Sequence, residues 1–385
     1  MLSVPFGEML LEPTRNGLTK PKAIRGQGVK MIAMGEIFAH SRIGAIEMER
    51  VPVTDKERDN CAIQEGDLLF ARQSLVLDGA GKCSIVTKVT EDTVFESHLI
   101  RTRIDPHKAN PYFLYYYFNS YIGRENIKTI VEQVAAAGIR GSDLVKLDVP
   151  CPSLEDQNRL VALLDRIDRK IELNSEISDN LAEMLQSIYQ QQFGTPTQGE
   201  ILSDICEYSK DRITVSSLTL SSYYSTENML PSKAGAVEAS GLPSIAQTTK
   251  AKAGDVLISN IRPYFKKIVY CHTECGCSTD VLCFTPKISA MSAFLYGTLY
   301  ADRFFDFMVA GSKGTKMPRG DKQQIMTFPI HRPSAEELLE FNGIALPILS
   351  QIEEHRIENT RLAALRDTLL PRLMSGEIDV GSIEV

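Results

Sequence analysis

The feature that most restricts the fold is a pair of long segments with the same hydrophobic spacing. In residues 150–193, apolar and a few polar side chains recur in steps of three and four, which keeps one helix face against a partner helix. This seam consists of Leu160, Leu164, Ile167, Ile171, Asn174, Ser178, Leu181, Leu185, Ile188 and Gln192. At about 1.5 Å per residue the helix would be roughly 60 Å long, more than a compact domain needs. The pattern therefore predicts a long helix that pairs with another.

A second segment repeats the first without a gap, at the constant shift that brings Ser153 onto Ser334; we call this shift the repeat offset. Ser153 with Asp156 predicts a capping box at the start of the first helix, and Ser334 with Glu337 repeats it. The second seam consists of Phe341, Ala345, Ile348, Ile352, His355, Asn359, Leu362, Arg366, Leu369 and Leu373. Pro347 should kink this helix or delay its regular part, because proline removes a backbone donor and clashes one turn back. The sequence thus predicts an internal repeat.

Weaker similarities extend the repeat upstream of both helices. EGDLLF at 65–70 resembles AGDVLI at 253–258, YFLY at 112–115 resembles AFLY at 293–296, and Arg140-Gly141 resembles Arg319-Gly320. Their common order predicts a globular domain and a helix, each present twice. The predicted segments are a first domain at 1–149, a central helix at 150–200, a second domain at 201–332, and a C-terminal helix with its tail at 333–385.

The globular segments combine strand and helix signals. Short apolar runs between Gly-rich and Asp-rich turns predict strands at 29–34, 67–71, 83–89 and 97–103, and at 255–259, 267–271 and 280–284. Aromatic stretches at 111–120 and 294–308 predict helices that pack on the sheets. The predicted class is α+β: two globular α/β domains separated by two long helices that pair as an antiparallel coiled coil.

Charge is distributed unevenly along the chain. The formal net charge is −7, but Lys and Arg balance Asp and Glu in residues 1–149 and exceed them by 4 in residues 201–332. The helical segments 150–200 and 333–385 carry net charges of −5 and −6. The globular domains can therefore present a local basic face to phosphates, while the helices turn an acidic surface to another partner such as a protein.

Composition indicates a cytoplasmic protein that does not insert into a membrane. The sequence contains no run of about 18 apolar residues, and its first residues lack the basic start and apolar core of a signal peptide. Eight scattered cysteines without a secretion signal favour reduced thiols over a disulfide framework.

Motifs for catalysis are weak. Asn110-Pro111-Tyr112-Phe113 is similar to the loop with which amino-methyltransferases hold a flipped base, but the second proline is missing and no Gly-rich cofactor turn follows a strand. A helix start with aromatic core residues is the favoured interpretation. Gly79-Ala80-Gly81-Lys82 resembles the end of a phosphate-binding loop, yet Val76 and Cys83 occupy the positions of its first Gly and its Ser or Thr. A tight turn is favoured there, with a DNA phosphate contact as the alternative.

Cys271, His272, Cys275 and Cys277 form the one metal-like cluster in the sequence. Zinc sites usually combine two ligand pairs, whereas this spacing provides no second pair. A protected turn between strands is the favoured interpretation, so we predict no metal site. No catalytic triad, carboxylate pair or nuclease signature is evident, and we predict no catalytic residues.

Two stretches carry a family resemblance. VPCPSLEDQ at 149–157, leading into LLDRIDRKI at 163–171, resembles the central region of Type I restriction-modification specificity (S) subunits, and LLPRLMSGEI at 369–378 resembles their C-terminal end. The chain departs from this pattern at residues 335–338 and at Pro347, which bears on the equivalence of the two helices.

The resemblance implies a non-catalytic, sequence-specific subunit that reads a bipartite site in double-stranded DNA with one target-recognition domain per half. It implies two methyltransferase subunits that use S-adenosylmethionine and two restriction subunits that use ATP and Mg, with none of these cofactors bound by this chain. These partners would methylate adenine and cut the DNA.

Candidate site residues fall into two groups. Polar and basic side chains beside the repeated strands can contact bases or phosphates: Arg72, Gln73, Lys82, Arg140, Asn260, Arg262, Lys313, Lys316 and Arg319. The Gly-rich loop 311–320, which carries three of these cations, is the strongest candidate. Helix pairing is assigned to Leu164, Ile167, Ile171, Asn174, Leu181, Ile348, Ile352, His355 and Leu362.

Two other functions stay open. A coiled-coil adaptor between proteins, without a DNA role, would have the same helices, and a gel shift with random and selected duplexes separates it from a DNA reader. A self-sufficient methyltransferase or nuclease is opposed by the missing cofactor motifs, and an assay of the purified chain alone tests it.

Overall fold

The computed structural model describes residues 3–133, 137–375 and 377–378, and it divides into two compact units. Unit 1 comprises Met1–Ile171 and Thr360–Val385, and unit 2 comprises Glu172–Asn359. Each unit therefore contains one globular domain together with a part of each of the two long helices. The four consecutive domain boundaries expected from the sequence stay a prediction.

Unit 1 contains short strands around a central sheet. Its strands β1 to β13 are Ser3–Pro5, Arg15–Asn16, Val29–Ile32, Arg42–Ile43, Arg50–Val51, Leu68–Ala71, Gln73–Ser74, Cys83–Val86, Thr93–Phe95, Leu99–Thr102, Glu132–Gln133, Ala137–Gly138 and Asp148–Pro150. Its helices α1 to α5 are Met34–Ala39, Asp55–Cys61, Pro111–Asn119, Tyr121–Lys128 and Gly141–Leu144. The long helix α6, Leu154–Phe193, begins in unit 1.

The core of unit 1 lies between the central sheet and α3. The sheet has the order β2-β10-β6-β8-β4 and its middle strand β6 is buried along its whole length. Helix α3 begins at Pro111, as the sequence predicts. The side chain of Asn110 caps it by accepting the backbone N–H of Tyr112 at 2.9 Å. Phe118 of α3 packs edge-on against Phe70 of β6. The apolar strand and the aromatic helix therefore bury each other's faces.

Unit 2 repeats this arrangement. Its strands β14 to β21 are Cys206–Tyr208, Arg212–Thr214, Tyr223–Tyr224, Gln247–Ala251, Val256–Ser259, Ile268–Tyr270, Cys275–Cys277 and Val281–Pro286. Its helices α7 to α9 are Ser292–Tyr300, Asp302–Ala310 and Lys322–Ile325, and the second long helix α10, Ala335–Met374, begins here. The strands form two sheets with the orders β14-β21-β18-β19 and β15-β17-β20-β16.

The internal repeat is confirmed. Helices α7, α8, α9 and α10 each begin at the repeat offset from α3, α4, α5 and α6, and both long helices contain 40 residues. In the sheets, β10-β6-β8 of unit 1 and β21-β18-β19 of unit 2 have the same antiparallel order. The expected α/β domains, long paired helices and pseudo-two-fold repeat are therefore present in the fold.

Two details of the sequence prediction are wrong. The single helix expected at 294–308 is two helices, because Ala301 between them is extended, with φ −62° and ψ 139°. Ser120 separates α3 from α4 in the same way, and neither position carries the Gly or Pro that would have marked a break. Gly141, which begins α5, corresponds to Lys322 at the start of α9, so the alignment of Arg140-Gly141 with Arg319-Gly320 is displaced by two residues.

The long helices pack against each other within unit 2. Tyr189 and Phe193 of α6 are fully buried against Phe341 of α10, with ring centroids 6.2 and 5.3 Å apart. Helix α10 is continuous from Ala335, so Pro347 does not delay its regular part, and a kink at Pro347 stays a prediction.

A polar centre also joins the helices in unit 2. The Nδ2 group of Asn174 donates to Oδ1 of Asn359 at 2.9 Å, and the hydroxyl of Ser178 lies 3.1 Å from Nδ1 of His355. Residue numbers rise along α6 where the residue numbers of the partners in α10 fall, so the two helices pair antiparallel. Asn174 and Ser178 are the repeat counterparts of His355 and Asn359, so each residue contacts the counterpart of its neighbour, as a two-fold relation requires.

Candidate nucleic-acid interface

The candidate residues of unit 2 meet just beyond the end of β18. The backbone of Arg319 forms isolated β-bridges with Lys313 and with Ile261. These bridges hold the Gly-rich loop 311–320 against the segment after β18. The backbone N–H of Arg262 donates to the Pro318 carbonyl at 2.8 Å, and that of Gly320 donates to the Asn260 carbonyl at 3.3 Å. The fold therefore places four of the five predicted residues of this domain on one continuous backbone surface, with Lys316 in the same loop.

Glycines allow this loop to approach so closely. Gly314 has φ +103°, a conformation that residues with a Cβ rarely adopt. A Cβ on Gly320 would lie 2.7 Å from Cε of Met308 and 2.9 Å from Oδ1 of Asn260. The glycines thus allow a backbone conformation in which the cations of the loop lie at its surface.

The cations of this loop face solvent and pair with nearby carboxylates. Lys313 is 80% exposed and binds Asp321, and Arg319 is 53% exposed and donates to Asp280 at 3.0 Å. The hydrogen bond from Lys313, followed by backbone N–H groups at the start of α9, holds the pKa of Asp321 below its ordinary range. Lys316 is exposed and has no ion pair among the described residues. Surface ion pairs are weak, so these cations can exchange a carboxylate for a phosphate.

Asn260 and Arg262 lie behind the cations and are less exposed. Oδ1 of Asn260 and Nε of Arg262 are buried without a hydrogen-bond partner among the described residues. Arg262 also has a left-handed backbone, with φ +50°. Buried polar atoms without partners are costly, and ligand or water can satisfy them.

In unit 1 the corresponding surface is smaller. Gln73 of β7 pairs with Gly138 of β12, and the backbone N–H of Ile139 donates to the Arg72 carbonyl at 2.9 Å, so Arg72, Gln73 and Arg140 come together. Gln73 is exposed, and Arg140 is 66% exposed and binds Glu132 at 2.6 Å.

Lys82 differs from the other candidates because its ammonium group is used within the fold. Its Nζ donates to the Phe38 carbonyl at 2.9 Å and lies 5.0 Å from the centre of the Phe38 ring. Burial, and to a smaller extent the charge of Arg124, lower the pKa of Lys82. Lys82 therefore has a structural role within the fold. Its contact with a phosphate stays a prediction.

The sequence analysis missed two features of this surface. His98 lines a cavity of about 490 Å³ in unit 1 together with Phe38 and Gln73, and its carbonyl accepts the N–H of Arg72. Leu75, which follows β7, lines the same cavity and is 98% exposed. A single exposed residue outside a periodic pattern gives no sequence signal, although the position of Leu75 next to Gln73 could have drawn attention to it.

The helix-pairing candidates are buried or half-buried, and their roles in pairing stay predictions. Leu164 and Ile167 of unit 1 and Asn174 and Ile348 of unit 2 are buried, while Ile171, Leu181, Ile352, His355 and Leu362 are half-buried. Gln192 at the end of the proposed seam is exposed, and Tyr189 and Phe193 take its place. The seam ends on the aromatic pair because these rings fill the space beside α7.

Cys271, Cys275 and Cys277 are buried in an apolar cluster with Cys283, and Sγ of Cys275 lies 3.6 Å from Sγ of Cys271. Across residues 3–133, 137–375 and 377–378, no group of three or more His, Cys, Asp or Glu side chains could hold a metal ion. Within the same residues, no helix is long and apolar enough to cross a membrane.

Comparison with known proteins gives a family match in the first half of the chain. Residues 18–183 match the family model of the Type I restriction modification DNA specificity domain. The chain is 24% identical over 162 residues to the Type I restriction enzyme EcoKI specificity subunit of Escherichia coli (strain K12), which covers 42% of this chain and 34% of that protein. It is 22% identical over 200 residues to the StySPI specificity subunit of Salmonella potsdam, covering 52% of this chain and 43% of the relative.

The match thus spans less than half the length of each curated relative. The fold is similar along nearly its whole length to the crystal structure of a Type I restriction-modification S subunit from M. genitalium. The TM-score is 0.53 at 15% identity, over 97% of this chain and 95% of that one. Because that identity is low, this likeness concerns the fold alone. Residues 18–183 are therefore similar to the Type I restriction modification DNA specificity domain, and the duplicated fold is similar to that of a solved S subunit.

Proposed function

We propose that this chain reads a bipartite site in double-stranded DNA, with the surface of each unit reading one half. The observation that carries the proposal is the duplicated surface: in both units, exposed polar or cationic side chains lie on backbone segments that pair with each other. Polar groups that specify bases and cations that neutralise phosphates are the two requirements of sequence-specific DNA binding.

The two kinds of side chain have different roles in the proposal. Lys313, Lys316 and Arg319 are exposed on a projecting loop, so they meet phosphates and fix the position of the duplex. Gln73 and Asn260 suit adenine, and Arg72, Arg140 and Arg262 suit guanine, because their hydrogen-bonding groups match those base edges.

The long helices set the distance between the two half-sites. A paired, antiparallel helical spine is stiff, and its length is fixed by the number of turns. The DNA spacer should therefore have a fixed length and an unspecified sequence. Inserting one heptad into each helix, at positions that face each other across the antiparallel pair, should lengthen the preferred spacer without altering either half-site.

The chain itself acts without catalysis and binds no cofactor in this proposal. Two methyltransferase subunits with S-adenosylmethionine, and two restriction subunits with ATP and Mg, would methylate adenine and cut the DNA. The acidic helical segments, with net charges of −5 and −6, are the proposed docking surface for these subunits.

Methylome sequencing tests the proposal directly. Cells that express the chain with its methyltransferase partner should gain methylated adenine in a motif of two short blocks with a constant gap. A motif with a single block, or unchanged methylation together with intact binding of the partner, would favour the adaptor function instead.

The role of the Gly-rich loop is tested by Arg319→Ala. Binding of the selected duplex should weaken, and if Arg319 contacts a phosphate the slope of log affinity against log salt should fall by about 1. Lys210→Ala is the matched control, because Lys210 is an exposed cation of the same unit outside this surface, 87% exposed. Equal affinities of both variants at low and moderate salt would remove Arg319 from the interface.

A further inference from the structure

An exposed apolar loop follows Gln73 in unit 1 and Ile261 in unit 2. In unit 1, Leu75 is 98% exposed and Val76 62% exposed, directly after Gln73–Ser74. In unit 2, Tyr264 is 50% exposed and Phe265 39% exposed, three residues after Ile261. Gln73 and Ile261 are equivalent, since they pair with Gly138 and Arg319, which are related by the repeat offset. Both units therefore present apolar side chains at the same point of the fold.

The loop of unit 2 is held in a strained conformation. Within the described chain, the non-glycine residues with positive φ are Ser232, Lys233, Arg262 and Lys266, and all four lie around Tyr264 and Phe265. The backbone N–H of Ser232 donates to the Phe265 carbonyl at 2.8 Å, and that of Lys233 donates to the Lys266 carbonyl at 2.9 Å. Such strain persists only where surrounding contacts impose it, and it concentrates at functional sites.

The contacts around this loop hold the rings of Tyr264 and Phe265 in a defined orientation. The centroids of Tyr264 and Phe265 lie 4.8 Å apart with the planes inclined by 55°. Space filling alone does not explain them, because both rings are partly exposed. A rigid exposed aromatic pair loses little conformational entropy when it binds a flat apolar partner.

The charge around the loop selects the kind of partner. Lys233 and Lys266 bind Asp302 from either side, and Arg262, Lys316 and Arg319 lie on the same loop surface. Cations around an apolar tip suit a ligand whose flat apolar groups are surrounded by negative charge, and a nucleic-acid duplex has both features.

We propose that these loops are apolar wedges that insert between neighbouring base pairs, Tyr264 and Phe265 in one half of the DNA site and Leu75 and Val76 in the other. Inserted apolar side chains partly unstack a base step and bend the duplex, and flexible pyrimidine–purine steps bend at the lowest cost. The wedges would thus add a preference for deformable steps next to the bases that hydrogen bonds read. This inference rests on the proposed DNA-binding function.

The test uses the full chain and a duplex selected from a random pool, with 2-aminopurine placed at each position in turn. Fluorescence should rise at one step in each half, because 2-aminopurine brightens when it is unstacked. The double variant Leu75→Ala with Val76→Ala should abolish the rise in one half only, and Tyr264→Ala with Phe265→Ala should abolish it in the other. Each double variant should bind the duplex about 10-fold more weakly.

Controls separate a wedge from a general apolar contact. Leu339→Ala removes an apolar side chain that is 76% exposed on α10, and it should leave fluorescence and affinity unchanged. Tyr264→Phe keeps the ring, so it should retain the fluorescence signal and guards against a loss caused by misfolding.

Three outcomes would overturn the inference while the proposed function stands. These are a selected duplex bound without any change in 2-aminopurine fluorescence, double variants with unaltered affinity, and loss of methyltransferase binding in place of DNA binding, which would identify a protein-docking loop. Failure to select any duplex would instead overturn the proposed function.

Discussion

Asp168 of unit 1 and Leu349 of unit 2 occupy equivalent positions of the two long helices, yet they are chemically opposite. Asp168 is 3% exposed and accepts hydrogen bonds from the Tyr116 hydroxyl at 2.7 Å and from Arg366 at 2.8 Å. Arg42 approaches the same carboxylate at 3.7 Å. Unit 1 therefore joins its sheet domain and both its helix segments through one buried carboxylate.

Unit 2 fills the same place with apolar groups. Leu349 is 3% exposed and belongs to the same apolar cluster as Leu185, the counterpart of Arg366. The counterpart of Tyr116 is Gly297, and the ring of Tyr189 lies where a side chain at Gly297 would stand. The hydroxyl of Tyr189 instead finds Thr298, at 2.8 Å.

The difference indicates that the repeated backbone accepts either chemistry when the set of partners is complete. A buried carboxylate requires donors from several elements, and a buried leucine requires a ring or another leucine beside it. Replacing one member of either set should therefore be far more harmful than exchanging the set as a whole.

The largest expected effect comes from Asp168→Leu. The substitution removes the carboxylate that three side chains share, and breaking a buried ion pair from one side costs about 3–5 kcal/mol. Asp168→Leu combined with Arg366→Leu brings in the pair of unit 2 and should recover most of that loss. Urea denaturation gives the stabilities, and hydrogen–deuterium exchange of α3 reports the change in unit 1.

Asp367→Leu is the control for this prediction. Asp367 binds the same Arg366 at 2.8 Å, but its side chain is 64% exposed. Exposed pairs contribute at most about 1 kcal/mol, so this variant should be nearly as stable as the parent. Equal losses of stability for Asp168→Leu and Asp367→Leu would show that the buried carboxylate of Asp168 contributes no more than an exposed one.

Gly297→Ala should give the next largest effect, in unit 2. The added Cβ would lie 2.6 Å from the Tyr189 ring, and overpacking of this kind costs about 1–3 kcal/mol. Gly343→Ala is the matched variant, since Gly343 lies inside α10 with no atom within 4 Å of an added Cβ. It should stabilise by up to about 1 kcal/mol because alanine favours a helix. Melting temperatures of Gly297→Ala and Gly343→Ala that shift in the same direction would contradict this prediction.

The paired helices were accessible from sequence because they are periodic. Spacings of three and four, the constant repeat offset and the capping serines predict helices whose observed starts are Leu154 and Ala335. The network at Asp168 was not predictable, since Arg42 and Tyr116 lie far from it along the chain and the helix pattern does not reveal that an aspartate is buried. Tertiary packing decides that question.

The candidate nucleic-acid interface could be predicted only in part. The Gly-rich loop signals that Lys313 and Arg319 project from a special backbone, and the fold brings them to Asn260 and Arg262. The roles of these residues toward DNA stay predictions. Leu75 and Tyr264 escaped notice because exposed apolar residues in loops have no period, and only the backbone pairings of Gln73 and Ile261 reveal that their loops are equivalent.

The helix caps should produce a smaller effect of similar size in both units. The Ser334 hydroxyl accepts the Glu337 N–H at 3.2 Å, and the Ser153 hydroxyl accepts the Asp156 N–H at 3.1 Å. Replacement of either serine by alanine should cost roughly 0.5–2 kcal/mol, and glycine less, because alanine cannot satisfy the first-turn amide. Denaturation of the two alanine variants measures this, and a loss in only one would mean that the two starts are not equivalent.

The smallest effect is expected from a pair whose polarity is reversed between the units. Glu132 binds Arg140 at 2.6 Å in unit 1, and at the repeat offset Lys313 binds Asp321 with the charges exchanged. Glu132→Lys together with Arg140→Asp gives unit 1 the polarity of unit 2. Because exposed pairs contribute about 0.2–1 kcal/mol whichever residue carries the cation, the double variant should match the parent in stability.

Glu132→Lys alone should be slightly less stable than the parent, because it places two cations side by side. A double-mutant cycle on each pair should then give coupling energies of the same sign and similar size in both units. If the exchanged pair destabilises unit 1 by clearly more than either single change, its polarity is set by surrounding charges. In that case the reversal between the units would be a property of their separate reading surfaces, and it would point to different phosphate positions in the two half-sites.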